Sequence, residues 1–140
     1  MKILILSFFL LPFSFLFSQG NLQFNQVITY SLSGTTSANG GIYTIQSINV
    51  TVPSNKVWKI ESAQCRASHG TSQLQNNALL AYISLNNAFI VSNSTSVVMS
   101  NFPIWLVEGS YVIQLLVQNT GAGSGNAYGL VSGIEFNIIP

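Results

Sequence analysis

The chain has 140 residues, of which 48% are hydrophobic and 5% are charged, with a formal net charge of +1. It contains no Asp, one Cys (Cys65) and one His (His69). The length fits one domain, a lone Cys rules out an intramolecular disulfide, and so few cations exclude a nucleic-acid face, which needs several phosphate neutralisers side by side.

Residues 1–20, MKILILSFFLLPFSFLFSQG, carry Lys2, an apolar run over residues 3–17 and the small-x-small triplet Ser18-Gln19-Gly20. That is the three-part pattern of a secretory signal peptide. The run is short for a membrane span and no stop-transfer charges follow it, so no membrane insertion is expected after cleavage. The expected organisation is a leader over 1–20 and a single domain over 21–140, secreted or displayed at the cell surface. The mature part carries Lys56, Lys59 and Arg66 against Glu61, Glu108 and Glu135, so its formal charges balance. Asn, Ser, Thr and Gln must then supply solubility, and little charge repulsion keeps copies apart.

From residue 22 onward the signal is period two, with β-branched and aromatic residues broken by Gly, Asn and Ser. The expected strands are residues 22–32, 42–52, 57–65, 78–85, 88–91, 97–99, 102–106, 111–117 and 129–139. In the second, Ile48, Val50 and Val52 share a face; in the third, Trp58 and Ile60 oppose Lys59 and Glu61. Pro53 presets a tight turn, and Asn86-Asn87 is a two-residue hairpin signal because Asn tolerates the positive φ of a type I′ turn. Residues 33–41, 66–77 and 118–128 read as loops. Pro103 marks its strand as an edge, and Gly109 suits a turn that needs positive φ. In the closing strand Leu130, Ile134, Phe136 and Ile138 are expected to face inward and Glu135 outward.

Eight to ten short strands at regular spacing indicate an all-β antiparallel sandwich, jelly-roll-like if eight strands form two sheets with Greek-key connections. Immunoglobulin-like topology is the runner-up, without its Cys…Trp…Cys hallmark. The stretch IWLVEGSYVIQLLV, its Gly-rich loop and LVSGIEFNI resemble the end of the C1q and tumour-necrosis-factor-like jelly rolls. Leu106 and Gly109 match the turn, residues 112–117 the next strand, and Gly133 and Phe136 the close. Glu135 and Asn137 depart from that pattern. VPSNKVWKIESA also resembles strand-turn-strand openings of small exported proteins of Bacteroidota and of phage surface proteins. The C1q-like resemblance implies a trimer that binds other molecules.

Chemistry is sparse. Cys65 and His69 stand four apart at a strand end, which does not bring a nucleophile to its base. Glu61 beside Lys59 reads as an exposed ion pair, and the absence of Asp disfavours a calcium site. TGAGSGNA lacks the Lys-Ser/Thr ending of a phosphate loop and precedes a strand. No catalytic, cofactor or metal residue is assigned. Aromatic side chains remain, since with amide neighbours they stack on sugars or anchor protein interfaces. The binding or interface candidates are Phe102, Trp105, Tyr111, Tyr128 and Glu135, with Trp105 expected to be partly exposed. The expected function is a non-enzymatic, assembling structural or adhesive surface subunit. The alternatives are a small carbohydrate-binding module for a neutral glycan and a phage virion surface protein.

Overall fold

A computed structural model describes residues 22–37, 41–69, 79–93, 101–119 and 124–139. Its eight strands are β1 (Leu22–Thr36), β2 (Ile42–Val52), β3 (Lys56–His69), β4 (Leu79–Leu85), β5 (Ala88–Ser92), β6 (Ile104–Leu106), β7 (Gly109–Asn119) and β8 (Gly125–Ile138). They form two antiparallel four-stranded sheets, ordered β1-β8-β3-β6 and β2-β7-β4-β5. Along the chain every step except β4 to β5 crosses from one sheet to the other, and the two strand orders are those of a jelly roll.

β2 has the expected bounds. Asn86 and Asn87 take φ of 49° and 67°, as a type I′ turn requires, and the Asn86 side-chain oxygen accepts from Val112 N–H at 2.8 Å. Gly109 has φ 152°, and β6 is an edge strand, placed after Pro103. The expected strand at 97–99 lies outside the described residues. Several strands are longer than expected. β1 runs on through Ser33–Thr36 because Leu32, Gly34 and Thr36 continue its inward face against Gly129, Ala127 and Gly125 of β8. β3 continues through Arg66 to His69, and β7 and β8 extend into the stretch expected to be a loop at 118–128. Ser33, Arg66 and Gln118 there lie on the outer side of paired strands, while Thr36 and Asn119 are polar but buried, so composition alone misplaces the boundaries.

All eight strands contribute to one core. It includes Ile28 and Leu32, Val50 and Val52, Trp58 and Ile60, Leu79 and Ile83, Ile90 and Val91, Leu106, Ile113 to Val117 in alternation, and Ala127 and Val131. Truncating a side chain such as Leu115 or Ile83, both fully buried, to Ala would cost about 2–5 kcal/mol.

The closing strand corrects the expected facing. Its inward positions are Ala127, Gly129, Val131, Gly133 and Glu135; Leu130, Ile134, Phe136 and Ile138 lie on the opposite side. Because the strand period is two, the one-residue shift turns the whole set over. The reason lies in β3 and β1. Trp58 and Ile60 fill the space beneath β8, so small residues suffice there, and Gly133 sits where a Cβ would meet the Lys59 carbonyl oxygen at 2.5 Å. That close approach coincides with the bulge at Glu61, between Ile60 and Ser62.

Candidate functional site: the outer face of the first sheet

Pairing register places one row of residues from β1, β8, β3 and β6 on the outside of the first sheet. Opposite residues of an antiparallel pair share a face, so the row can be read directly. Near the β2–β3 turn it contains Leu22 and Ile138, then Phe24, Phe136 and Val57, then Val27, Ile134, Lys59 and Trp105. Phe24 is 59% exposed, Val27 65% and Trp105 48%; Leu22 and Ile138 are exposed as well. Val57, though outward, is only 8% exposed among these larger side chains. Val107, one residue beyond β6, adds a further exposed apolar group. Together these side chains form a contiguous exposed apolar patch, the kind of surface that marks an interaction site.

The patch has internal order. The Trp105 ring packs 6.1 Å from Phe136, and the Lys59 ammonium lies 5.6 Å from the Trp105 centroid. Lys59 also pairs with Glu61 at 2.7 Å, so the charges at the rim neutralise one another. On the second sheet, exposed apolar residues such as Ile42 and Phe89 stand apart, on the edge strands β2 and β5. Its middle is closed by the Tyr82 hydroxyl donating to Gln118, the Ser84 hydroxyl donating to Gln114, and the Phe89 ring against Tyr82.

Beyond Thr29, Ser132 and Ser62 the same outer face turns polar. Ser31 and Ser33 of β1, Leu130 and Tyr128 of β8, and Gln64 and Arg66 of β3 lie in register there. The Arg66 guanidinium sits 4.8 Å over the Tyr128 ring. A shallow depression of about 290 Å³ opens between Gln64, Arg66, Tyr128 and Leu130, floored by Gly129 and Cys65.

The structure brings Trp105 and Tyr128 onto one face, about 20 Å apart along β8 at ~3.4 Å per residue. It separates the other candidates. Phe102 is half-buried and packs on the core. Tyr111 also faces inward, and its hydroxyl donates to the Val107 carbonyl at 2.9 Å. Glu135 is not on the outward face expected of it: it is 4% exposed, on the inner side of β8.

Four donors explain how a carboxylate can lie there. Trp58 Nε1 donates to Oε2 at 2.7 Å, while Lys56 Nζ and Gln26 Nε2, each at 3.2 Å, and Asn25 Nδ2 converge on Oε1. Burial alone would raise its pKa; the bonds from Trp58, Asn25 and Lys56, with the Lys56 charge, outweigh burial and hold it below the ordinary value. The Tyr30 hydroxyl is pushed the other way, by burial first and then by the Glu135 charge; its ring lies 5.9 Å from Trp58. Nothing in the sequence pairs Glu135 with donors 77 to 110 residues away.

Cys65 is half-buried, its thiol donating to the Ala81 carbonyl at 3.3 Å, and burial pushes its pKa up to about 11. Four residues of strand separate its Cα from that of His69 by about 13 Å. Among the described residues no three His, Cys, Asp or Glu gather where they could hold a metal ion. Comparison of the chain with protein-family models, curated proteins and solved structures gives no match, so the jelly-roll order stands on this chain's own strand pairing.

Proposed function

We propose that the mature chain is a secreted, non-enzymatic structural or adhesive subunit that assembles with further copies of itself through the apolar half of the first sheet's outer face. The observation that carries this reading is the patch formed by Leu22, Phe24, Val27, Trp105, Phe136 and Ile138 of β1, β6 and β8. A second copy is the occupant that suits it. The formal charges of the mature part balance and the rim pair Lys59–Glu61 is internally neutral, so like copies meet without net repulsion. Aromatic residues at the centre of the patch are the side-chain types that dominate interface energetics. The leader-like residues 1–20 support an extracellular location. A cyclic trimer is the assembly favoured, as the resemblance of the last strands to C1q-like jelly rolls implies; in it the patch meets a different face of the next copy, because a patch paired with itself closes as a dimer.

Light scattering after size-exclusion chromatography of the mature protein tests this. The expected result is a discrete oligomer, converted to monomer by the double substitution Phe24→Ser and Trp105→Ser with an unchanged far-UV circular dichroism spectrum. A wild-type monomer at concentrations of tens of micromolar would overturn the reading.

A further inference from the structure

We infer that the polar half of the same outer face is a binding site for a carboxylate-bearing sugar, a uronic acid unit within a polysaccharide, with Arg66 as its anchor. This site is separate from the apolar patch and does not depend on assembly.

Of the three described cations, Lys56 is committed to buried Glu135 and Lys59 to Glu61. Arg66 has no carboxylate within ion-pair distance among the described residues; its guanidinium lies over the Tyr128 ring instead. The remaining described carboxylate, Glu108, is in the β6–β7 turn, near the opposite end of the sandwich. Arg66 is therefore an uncompensated positive charge on a surface otherwise built of hydroxyls, amides and apolar groups. A guanidinium presents a planar fork that matches a carboxylate with two parallel hydrogen bonds. Stacking on Tyr128 limits its orientations before a ligand arrives, which reduces the ordering cost of binding.

The surroundings narrow the ligand. Tyr128 and Leu130 are both exposed on the central strand and offer an apolar strip to the C–H face of a pyranose. Gln64 lies beside them on β3, and Ser31 and Ser33 on β1, so amide and hydroxyl groups flank the strip on both sides. These suit sugar hydroxyls, which both donate and accept. The depression of about 290 Å³ lies just below the ~300–1,000 Å³ usual for small-molecule pockets, the scale of one sugar unit. Its open shape allows neighbouring units of a chain to pass along the face. A single cation selects one carboxylate per site and provides no second charge for a densely anionic polymer such as nucleic acid.

The test is a two-dimensional amide NMR titration of the mature protein with tetramers of galacturonate, glucuronate and mannuronate, each paired with its methyl ester, which removes only the charge. The expected result is that at least one acid tetramer shifts Gln64, Arg66, Tyr128 and Leu130, binding about tenfold or more tightly than its ester. Arg66→Gln, a substitution at an exposed position, abolishes that preference; Arg66→Lys restores only part of it, because an ammonium is a point charge without the fork. Three results would each overturn the inference: no binding by any of the acids, equal binding by acid and ester, or acetate shifting the same residues as strongly as the sugar.

Discussion

Replacing Glu135 probes how this sandwich tolerates a buried charge. In Glu135→Leu four donors lose their acceptor at once. Asn25 and Gln26 are exposed and the Lys56 side chain keeps 21% of its surface, so water takes over those three. The indole N–H of Trp58 cannot be rescued in that way, since Trp58 is 4% exposed and its bond to Oε2 is 2.7 Å. An orphaned buried donor costs about 1–3 kcal/mol, and losing a bond to a charged acceptor falls in a similar range. Leucine's added apolar contact offsets part of this, so the expected loss is about 2–4 kcal/mol, a large share of the ~5–15 kcal/mol of a typical domain. Glu135→Gln keeps an oxygen for Trp58 but turns an amide N–H₂ toward the donors that served the other oxygen, for a loss of about 1–3 kcal/mol. Urea unfolding followed by far-UV circular dichroism, at one fixed protein concentration, measures both. The decisive comparison is in a Trp58→Phe background, where the indole donor is already gone. There Glu135→Leu should cost at least about 1 kcal/mol less than in wild type. An unchanged cost in the two backgrounds would refute the claim that the indole–carboxylate bond governs this site.

Other expectations follow from the same geometry. The depressed pKa of Glu135 means that its contribution is fully present above the ordinary carboxylate pKa and is lost as pH falls through the folded value; Glu135→Gln should flatten that acid limb in urea titrations at stepped pH. Cys65 works in the opposite direction: with its ordinary value of 9.0 raised to about 11, stability should decline as pH rises between those values, and alkylation by iodoacetamide should stay slow until pH nears 11. Gly133→Ala should destabilise by about 1–3 kcal/mol, because the new Cβ meets backbone that cannot swing aside, and an unchanged urea midpoint would contradict this. Asn86→Ala should cost about 1–2 kcal/mol, losing both the bond to Val112 N–H and the residue's tolerance of φ 49°, as read from the same unfolding curves.

The sheet class, the bounds of β2, the facing of Trp58 and Ile60 and the Asn86-Asn87 turn were legible in the sequence because each is a local property. Alternation along one strand or the φ tolerance of two adjacent residues is enough to specify it. β8 was legible as a strand but not in its facing. Both of its sides alternate, and bulk pointed to Ile134 and Phe136 as the inner set. The inner set is instead small, since β3 supplies the bulk, and it ends in a glutamate whose donors come from β1 and β3. Trp105 was expected to be partly exposed, and it is. Its alignment with Phe24 and Val27 depends on two strand pairings that no local pattern encodes. In the sequence alone, Arg66 is one of a few scattered cations, in a stretch that reads as a polar connection. Only the extension of β3 and its register with β8 set it over Tyr128, 62 positions away along the chain.

The position of β8 also governs the order in which the molecule can become a molecule. It is the last strand of the eight, yet it occupies the interior of its sheet, hydrogen-bonded to β1 on one side and β3 on the other. Until residues 125–138 emerge from the ribosome, β1 and β3 have no neighbour to join them, the Trp58 indole lacks its carboxylate, and half of the sandwich has no floor. The pairing that links β1 to β3 within the first sheet therefore waits for β8, and β1 must wait across about 100 residues for its partner. The sheet β2-β7-β4-β5 and the β3–β6 pair need no part of β8, so what comes late is the closing of the first sheet around its inner strand.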